Sequence, residues 1–154
     1  MSLWRSEFPQ LTNPDARICI VAAEFNSQFI EPLLTNTIRG LKRCGVAEDN
    51  IEVADVPGSF ELPFACRKAA LCGQYDAVIA LGIIIRGETF HFELVASQAA
   101  EGITRINLQA PTPVIFGVLA CDNTEQVEAR LELGFEFAKA AVKMIAFDTD
   151  FSGG

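Results

Sequence analysis

The stretch Ala77-Val-Ile-Ala-Leu-Gly-Ile-Ile-Ile85, followed at once by Arg86-Gly-Glu-Thr-Phe-His91, decides the architecture. Its apolar run is unbroken by any polar side chain and rich in isoleucine, which describes a strand covered on both faces. Such a strand belongs in the middle of a parallel sheet, because parallel strands are joined by crossovers that lay helices on the sheet faces. The run stops at Arg86, far short of the ~20 residues that a membrane-spanning helix needs. Gly87 turns the chain, and a helical pattern follows from about Thr89 to Leu108.

The same alternation extends outward in both directions. Upstream, Ile18 to Ala23 reads as a buried strand, and Asn26-Ser27 as the cap of a helix carrying Phe29, Ile30, Leu33, Leu34, Ile38 and Leu41 at helical spacing. Gly45 ends that helix. Ile51 to Val56 is a strand closed by Pro57-Gly58. Ser59 then caps a helix through Leu71, with Pro63 tolerated in the first turn. Downstream, Val114 to Ala120 is the last strand. Asp122-Asn-Thr-Glu125 has capping-box spacing, and the final helix runs to about Phe147. Successive βα units predict an α/β fold of three layers, a parallel four-stranded sheet with helices on both faces. One domain is expected over residues 18–147. An extended N-terminal arm is expected at 1–17, with Trp4 and Phe8 suited to pack on a neighbouring subunit, and a flexible polar tail at 148–154.

The 154 residues and 16.7 kDa fit a single domain. Lys and Arg total 12 against 20 Asp and Glu, a net charge of −8 with a pI near 4.6, which argues against nucleic acid or an anionic membrane as partner. Hydrophobic residues make up 50% and mean hydropathy is +0.26, which excludes disorder and implies either a doubly covered sheet or apolar surface that meets another subunit. Met1 to Pro9 lacks the continuous apolar core of a signal peptide. Cys19, Cys44, Cys66, Cys72 and Cys121 are odd in number and contain no CxxC, and a single histidine is too few for a usual zinc set. They read as small hydrophobes in a reducing cytoplasm, with no metal site.

Ligands of open parallel α/β sheets bind beyond the carboxyl ends of the strands. That rule selects Ala23–Asn26, Pro57–Glu61, Ile83–His91 and Phe116–Asp122. A lone histidine is commonly structural. His91, however, falls in the first turn of a helix, where the dipole disfavours imidazolium and a neutral base is suited. Gly87-Glu88-Thr89 offers free backbone N–H groups at a helix start, which serve either an anion or an ordinary Thr89 cap. Glu88 would have to turn its side chain away from a phosphate. Phe25 and Phe60 lie on turns, where a ring either stacks on a planar heterocycle or packs the core edge. Glu61, in a first turn, is either surface charge that suits the dipole or an acceptor for substrate hydroxyls.

Together these segments resemble the lumazine synthase family of riboflavin biosynthesis. The likeness rests on Phe25-Asn26, Val56-Pro-Gly-Ser-Phe-Glu-Leu-Pro63, Ala80-Leu-Gly-Ile-Ile-Ile-Arg-Gly-Glu-Thr-Phe-His-Phe-Glu93 and Pro113-Val-Ile-Phe-Gly-Val-Leu119. It runs from about Ile18 to Met144. The resemblance implies a flavodoxin-like fold, no cofactor, and a transferase that joins 5-amino-6-(D-ribitylamino)uracil to 3,4-dihydroxy-2-butanone 4-phosphate. It implies that Phe25 stacks on the pyrimidine, that Ser59, Phe60 and Glu61 hold the ribityl chain, and that Ile83, Ile84 and Ile85 offer backbone contacts. By the same likeness Glu88 and Thr89 sit at the phosphate, His91 is the general acid/base, and Phe116 and Arg130 reach in from the adjacent subunit of a pentamer or a multiple of pentamers. One departure stands out. The family usually keeps a lysine a few residues after the arginine, whereas here the next lysine after Arg130 is Lys139, so that either phosphate binding is weak or Lys139 substitutes. The alternative reading is a flavin- or lumazine-binding relative with lost or weak activity.

Overall fold

A computed structural model describes residues 7–152 of the chain. Strand β1 (Ile18–Ala23) leads into helix α1 (Ser27–Arg43), and β2 (Ile51–Val56) into α2 (Leu62–Leu71). Strand β3 (Ala77–Ile85) leads into α3 (His91–Gln109), and β4 (Val114–Cys121) into α4 (Thr124–Glu128) and α5 (Leu133–Ser152). The four strands are parallel in the order β2-β1-β3-β4. The expected α/β architecture is present.

Side-chain alternation builds the layers. Ile18, Ile20 and Ala22 of β1, with Ile79, Leu81 and Ile83 of β3, pack against α1 and α5 through Leu33, Leu41, Ala138 and Val142. Cys19 and Val21, with Val78 and Ala80, face the other way onto Leu62 and Cys66 of α2 and Ile103 and Ile106 of α3. The two inner strands are buried along almost their whole length, whereas the edge strand β2 is exposed from Glu52 to Asp55. A strand order that turns back from β1 to β3 leaves a crevice at their carboxyl ends.

Several local expectations are corrected. Asn26 does not cap α1 with its side chain. It takes a left-handed conformation (φ 67°), and its Nδ2 donates to Ile83 O at 2.8 Å. Ser59 opens a short 3-10 turn, Ser59–Glu61, rather than capping α2. Helix α3 begins at His91, two residues later than expected. The last helix is two helices. Asn123, not Asp122, caps α4 by accepting from Gln126 N–H at 2.9 Å, and a turn separates α4 from α5. Gly134 lets α5 press onto α1, since a Cβ there would stand 2.8 Å from Leu33 O. The polar tail expected from Asp148 is helical to Ser152, with Phe147 and Phe151 stacked at 4.6 Å. Residues 153 and 154 lie outside the described residues, as do residues 1–6 with Trp4. Residues 7–17 run along their own chain. Phe8 meets Phe135 edge-on at 6.2 Å, and Leu11 N–H donates to Cys44 O at 2.9 Å.

Candidate active site

The crevice is a cleft of about 620 Å³ at the carboxyl ends of β1, β2 and β3. Its first wall is the turn after β1. Glu24 N–H donates to Val56 O at 2.7 Å and Phe25 N–H to Pro57 O at 3.0 Å, which extends the β1–β2 ladder and sets Phe25 beside the Pro57-Gly58 turn. The Phe25 and Phe60 rings are 71% and 57% exposed, so neither is core packing. Burying such rings is favourable, which suits a planar ligand in the cleft they line.

The floor comes from β3, which outruns β1. Pairing with β1 ends at Leu81, while pairing with β4 continues to Ile85. The backbone edge of Ile83–Ile85 on the β1 side therefore has no strand partner. Asn26 takes the Ile83 carbonyl, and the remaining polar groups of that edge suit a ligand with heterocyclic donors and acceptors. Ser59 is buried in the cleft wall against Gly82, where any Cβ would overlap its hydroxyl oxygen.

The far wall is the β3–α3 loop and the first turns of α3. Gly87, Thr89 and His91 line the cleft, and His91 is exposed. The His91 backbone N–H reaches the Thr89 hydroxyl at 3.4 Å, a long contact. Arg86 pairs with Glu93 and with Asp122, and these partners raise its pKa. Arg86 in turn holds the Glu93 carboxyl below the usual carboxylate range.

One chain thus gathers Phe25, Ser59, Phe60, Glu61, Ile83, Ile84, Ile85, Thr89 and His91 into one cleft. Glu88 is exposed and stands outside the lining. Phe116 lies in a separate groove with Pro113, Met144 and Phe147. Arg130 lies in another with Phe8 and Arg43, and donates to Gln126 O at 2.9 Å. Lys139 lines the same groove as Arg130. It is 3% exposed, pairs with Glu136 at 3.0 Å and faces the Phe8 ring at 4.6 Å. The sequence reading missed Phe92, Leu94 and Val95, which close the apolar side of the cleft. Their signal was apolar residues in the first turns of a helix that starts at a strand's carboxyl end. Among the described residues no cluster of His, Cys, Asp or Glu could hold a metal ion, and no helix is long and apolar enough to cross a membrane.

A family model described as 6,7-dimethyl-8-ribityllumazine synthase matches residues 15–148, from just before β1 into α5. The chain belongs to the lumazine synthase family. A protein named 6,7-dimethyl-8-ribityllumazine synthase from Polynucleobacter necessarius subsp. necessarius (strain STIR1) is 44% identical over 135 residues, covering 87% of this chain and 79% of its own. Proteins of the same name from Chlorobium luteolum and Chlorobium phaeovibrioides are each 42% identical, covering 88% and 85% of this chain and 90% and 88% of theirs. The match to the lumazine synthase model includes every strand end that lines the cleft.

Proposed function

We propose that the protein is a transferase of riboflavin biosynthesis, condensing 5-amino-6-(D-ribitylamino)uracil with 3,4-dihydroxy-2-butanone 4-phosphate to 6,7-dimethyl-8-ribityllumazine, phosphate and water. The observation that carries the reading is the convergence, in one cleft, of two exposed rings, the open edge of β3 and the sole histidine. Phe25 stacks on the pyrimidine, whose polar edge meets the backbone of Ile83, Ile84 and Ile85. Ser59, Phe60 and Glu61 hold the ribityl chain, Glu61 as acceptor for its hydroxyls. The amides at Glu88 and Thr89 receive the phosphate, where the start of α3 favours an anion.

The chemistry needs alignment and proton transfer. The amine attacks a carbonyl, water and phosphate leave, and a ring closes. His91 exchanges protons in these steps, help worth about 10²–10⁴-fold. Holding two flexible reactants in register contributes on the order of 7–11 kcal/mol. Phe116 and Arg130 lie outside their own chain's cleft, which supports the reading that they complete a neighbour's site in a pentamer or a multiple of pentamers. The reaction belongs to the cytoplasm and uses no cofactor.

Mixing the two substrates with protein and following lumazine absorbance against a protein-free control tests the reading. Clear acceleration is expected. A folded protein that binds lumazine or riboflavin but gives no acceleration would overturn it in favour of a binding protein.

A further inference from the structure

Arg86 lies outside the cleft lining, yet it joins three elements around it. Its backbone N–H donates to Cys121 O at 2.9 Å, continuing the β3–β4 ladder. Its Nε donates to Asp122 Oδ1 at 2.7 Å, and its Nη1 donates to Glu93 Oε1. The guanidinium carbon lies 4.4 Å from the centroid of the Phe92 ring. One planar group thereby ties the ends of β3 and β4 to the first turn of α3. A lysine, with a single point charge, cannot meet two carboxylates and stack on a ring at once.

The segment that Arg86 spans is the one with the chemistry. Arg86 and Glu93 bracket Gly87, Glu88, Thr89, Phe90 and His91. Inside that loop the restraints are sparse. The His91–Thr89 contact is long, a side chain at Gly87 would meet nothing within 4 Å, and Phe90 makes no side-chain cap to α3. The sheet holds one end of the loop, and the guanidinium holds the other. Exposed ion pairs contribute little to global stability, so the consequence of this cluster is local geometry.

We propose that Arg86 is a positioning residue for the reaction: by clamping Phe92 and Glu93 against Asp122, it sets where His91 and Thr89 stand relative to the open edge of β3. The inference rests on the activity proposed above. Asp122 N–H donates to Gln126 Oε1 at 2.7 Å, and Gln126 O accepts from Arg130. The clamp is therefore continuous with the segment that bears Arg130.

The test is steady-state kinetics of wild type, Arg86→Met, Arg86→Lys, Glu93→Gln and the Arg86→Met/Glu93→Gln double variant, with thermal unfolding of each and amide hydrogen exchange of the loop. Arg86→Met is expected to lower kcat by about tenfold or more, since small misplacements of reacting groups are costly. KM for the ribitylaminouracil, which does not touch the loop's phosphate end, should move less than about threefold, whereas KM for the butanone phosphate should rise with the displacement of Thr89. The thermal midpoint should stay near wild type while exchange at residues 87–94 quickens. Arg86→Lys should not restore kcat. Glu93→Gln should also lower kcat, and the double variant should be no worse than Arg86→Met, because the pair acts as a unit. A wild type that does not turn over overturns the activity reading, and the clamp's role with it. An active wild type beside an Arg86→Met variant of undiminished kcat overturns the clamp alone. So do additive losses in the double variant, or a kcat loss that tracks a lowered thermal midpoint.

Discussion

His91 stands exposed at the first position of α3, and Phe25 and Phe60 stand exposed on turns that line the same cleft. Exposure at a strand's carboxyl end is what separates these residues from core packing. His91→Ala should lower kcat by about 10²-fold or more yet leave measurable turnover, because alignment of the reactants persists without the proton carrier. Undiminished kcat in that variant would remove His91 from its role. The cysteines divide by the same criterion. Burial raises Cys19 and Cys44 from the usual 9.0 to about 11 and Cys66 to about 12, whereas Cys72 is exposed. One thiol, Cys72, should react rapidly with a thiol reagent in the folded protein, and the others only on unfolding. The shifts carry a pH sign. Groups raised in the folded state keep their stabilising contribution below pH 9, where both states hold the proton, and lose it as pH climbs through 11. Denaturant midpoints should therefore fall between pH 9 and pH 11, and a flat profile would show that the buried thiols titrate normally.

Between elements, α5 and α1 approach closely enough to decide which residues are admissible. Gly134 sits where a Cβ would stand 2.8 Å from Leu33 O and 2.9 Å from Thr37 N, both backbone atoms that cannot swing aside. Gly134→Ala should cost about 1–3 kcal/mol, the usual range for overpacking, as read from urea unfolding. The same approach bears on the missing cation. The start of α5 packs on α1, and Lys139 lines the Arg130 groove while paired with Glu136 and set against the Phe8 ring. Strand lengths were legible in the chain almost to the residue, because apolar runs end abruptly at Glu24 and Arg86, and Pro57-Gly58 closes the strand before it. Helix starts were not. A side chain able to cap competes with tertiary bonds, and Asn26 reached across to β3 instead of closing its own helix.

Across the whole molecule, the cleft is built by one chain while Phe116 and Arg130 face elsewhere. If neighbours share sites, His91→Ala and Arg130→Ala chains co-assembled in equal amounts should regain about a quarter of wild-type activity, because random pairing around a ring restores one interface in four. No recovery in co-expressed, assembled mixtures would mean that Arg130 does not serve a neighbour's site. The amino-acid sequence by itself determined the alternation of strands and helices, the parallel sheet, and the four strand-end segments from which a site could be drawn. Hydrophobic periodicity and turn residues are local, and they survive in a list of letters. It also carried the likeness to a family, through motifs spaced along successive strand ends. Only the tertiary structure decided that β3 outruns β1 and leaves an open edge, that Glu88 stands outside the cleft lining, and that Arg86 closes the loop bearing His91. Those facts depend on register and on contacts between residues far apart in the chain, and register is settled only when the sheet is assembled.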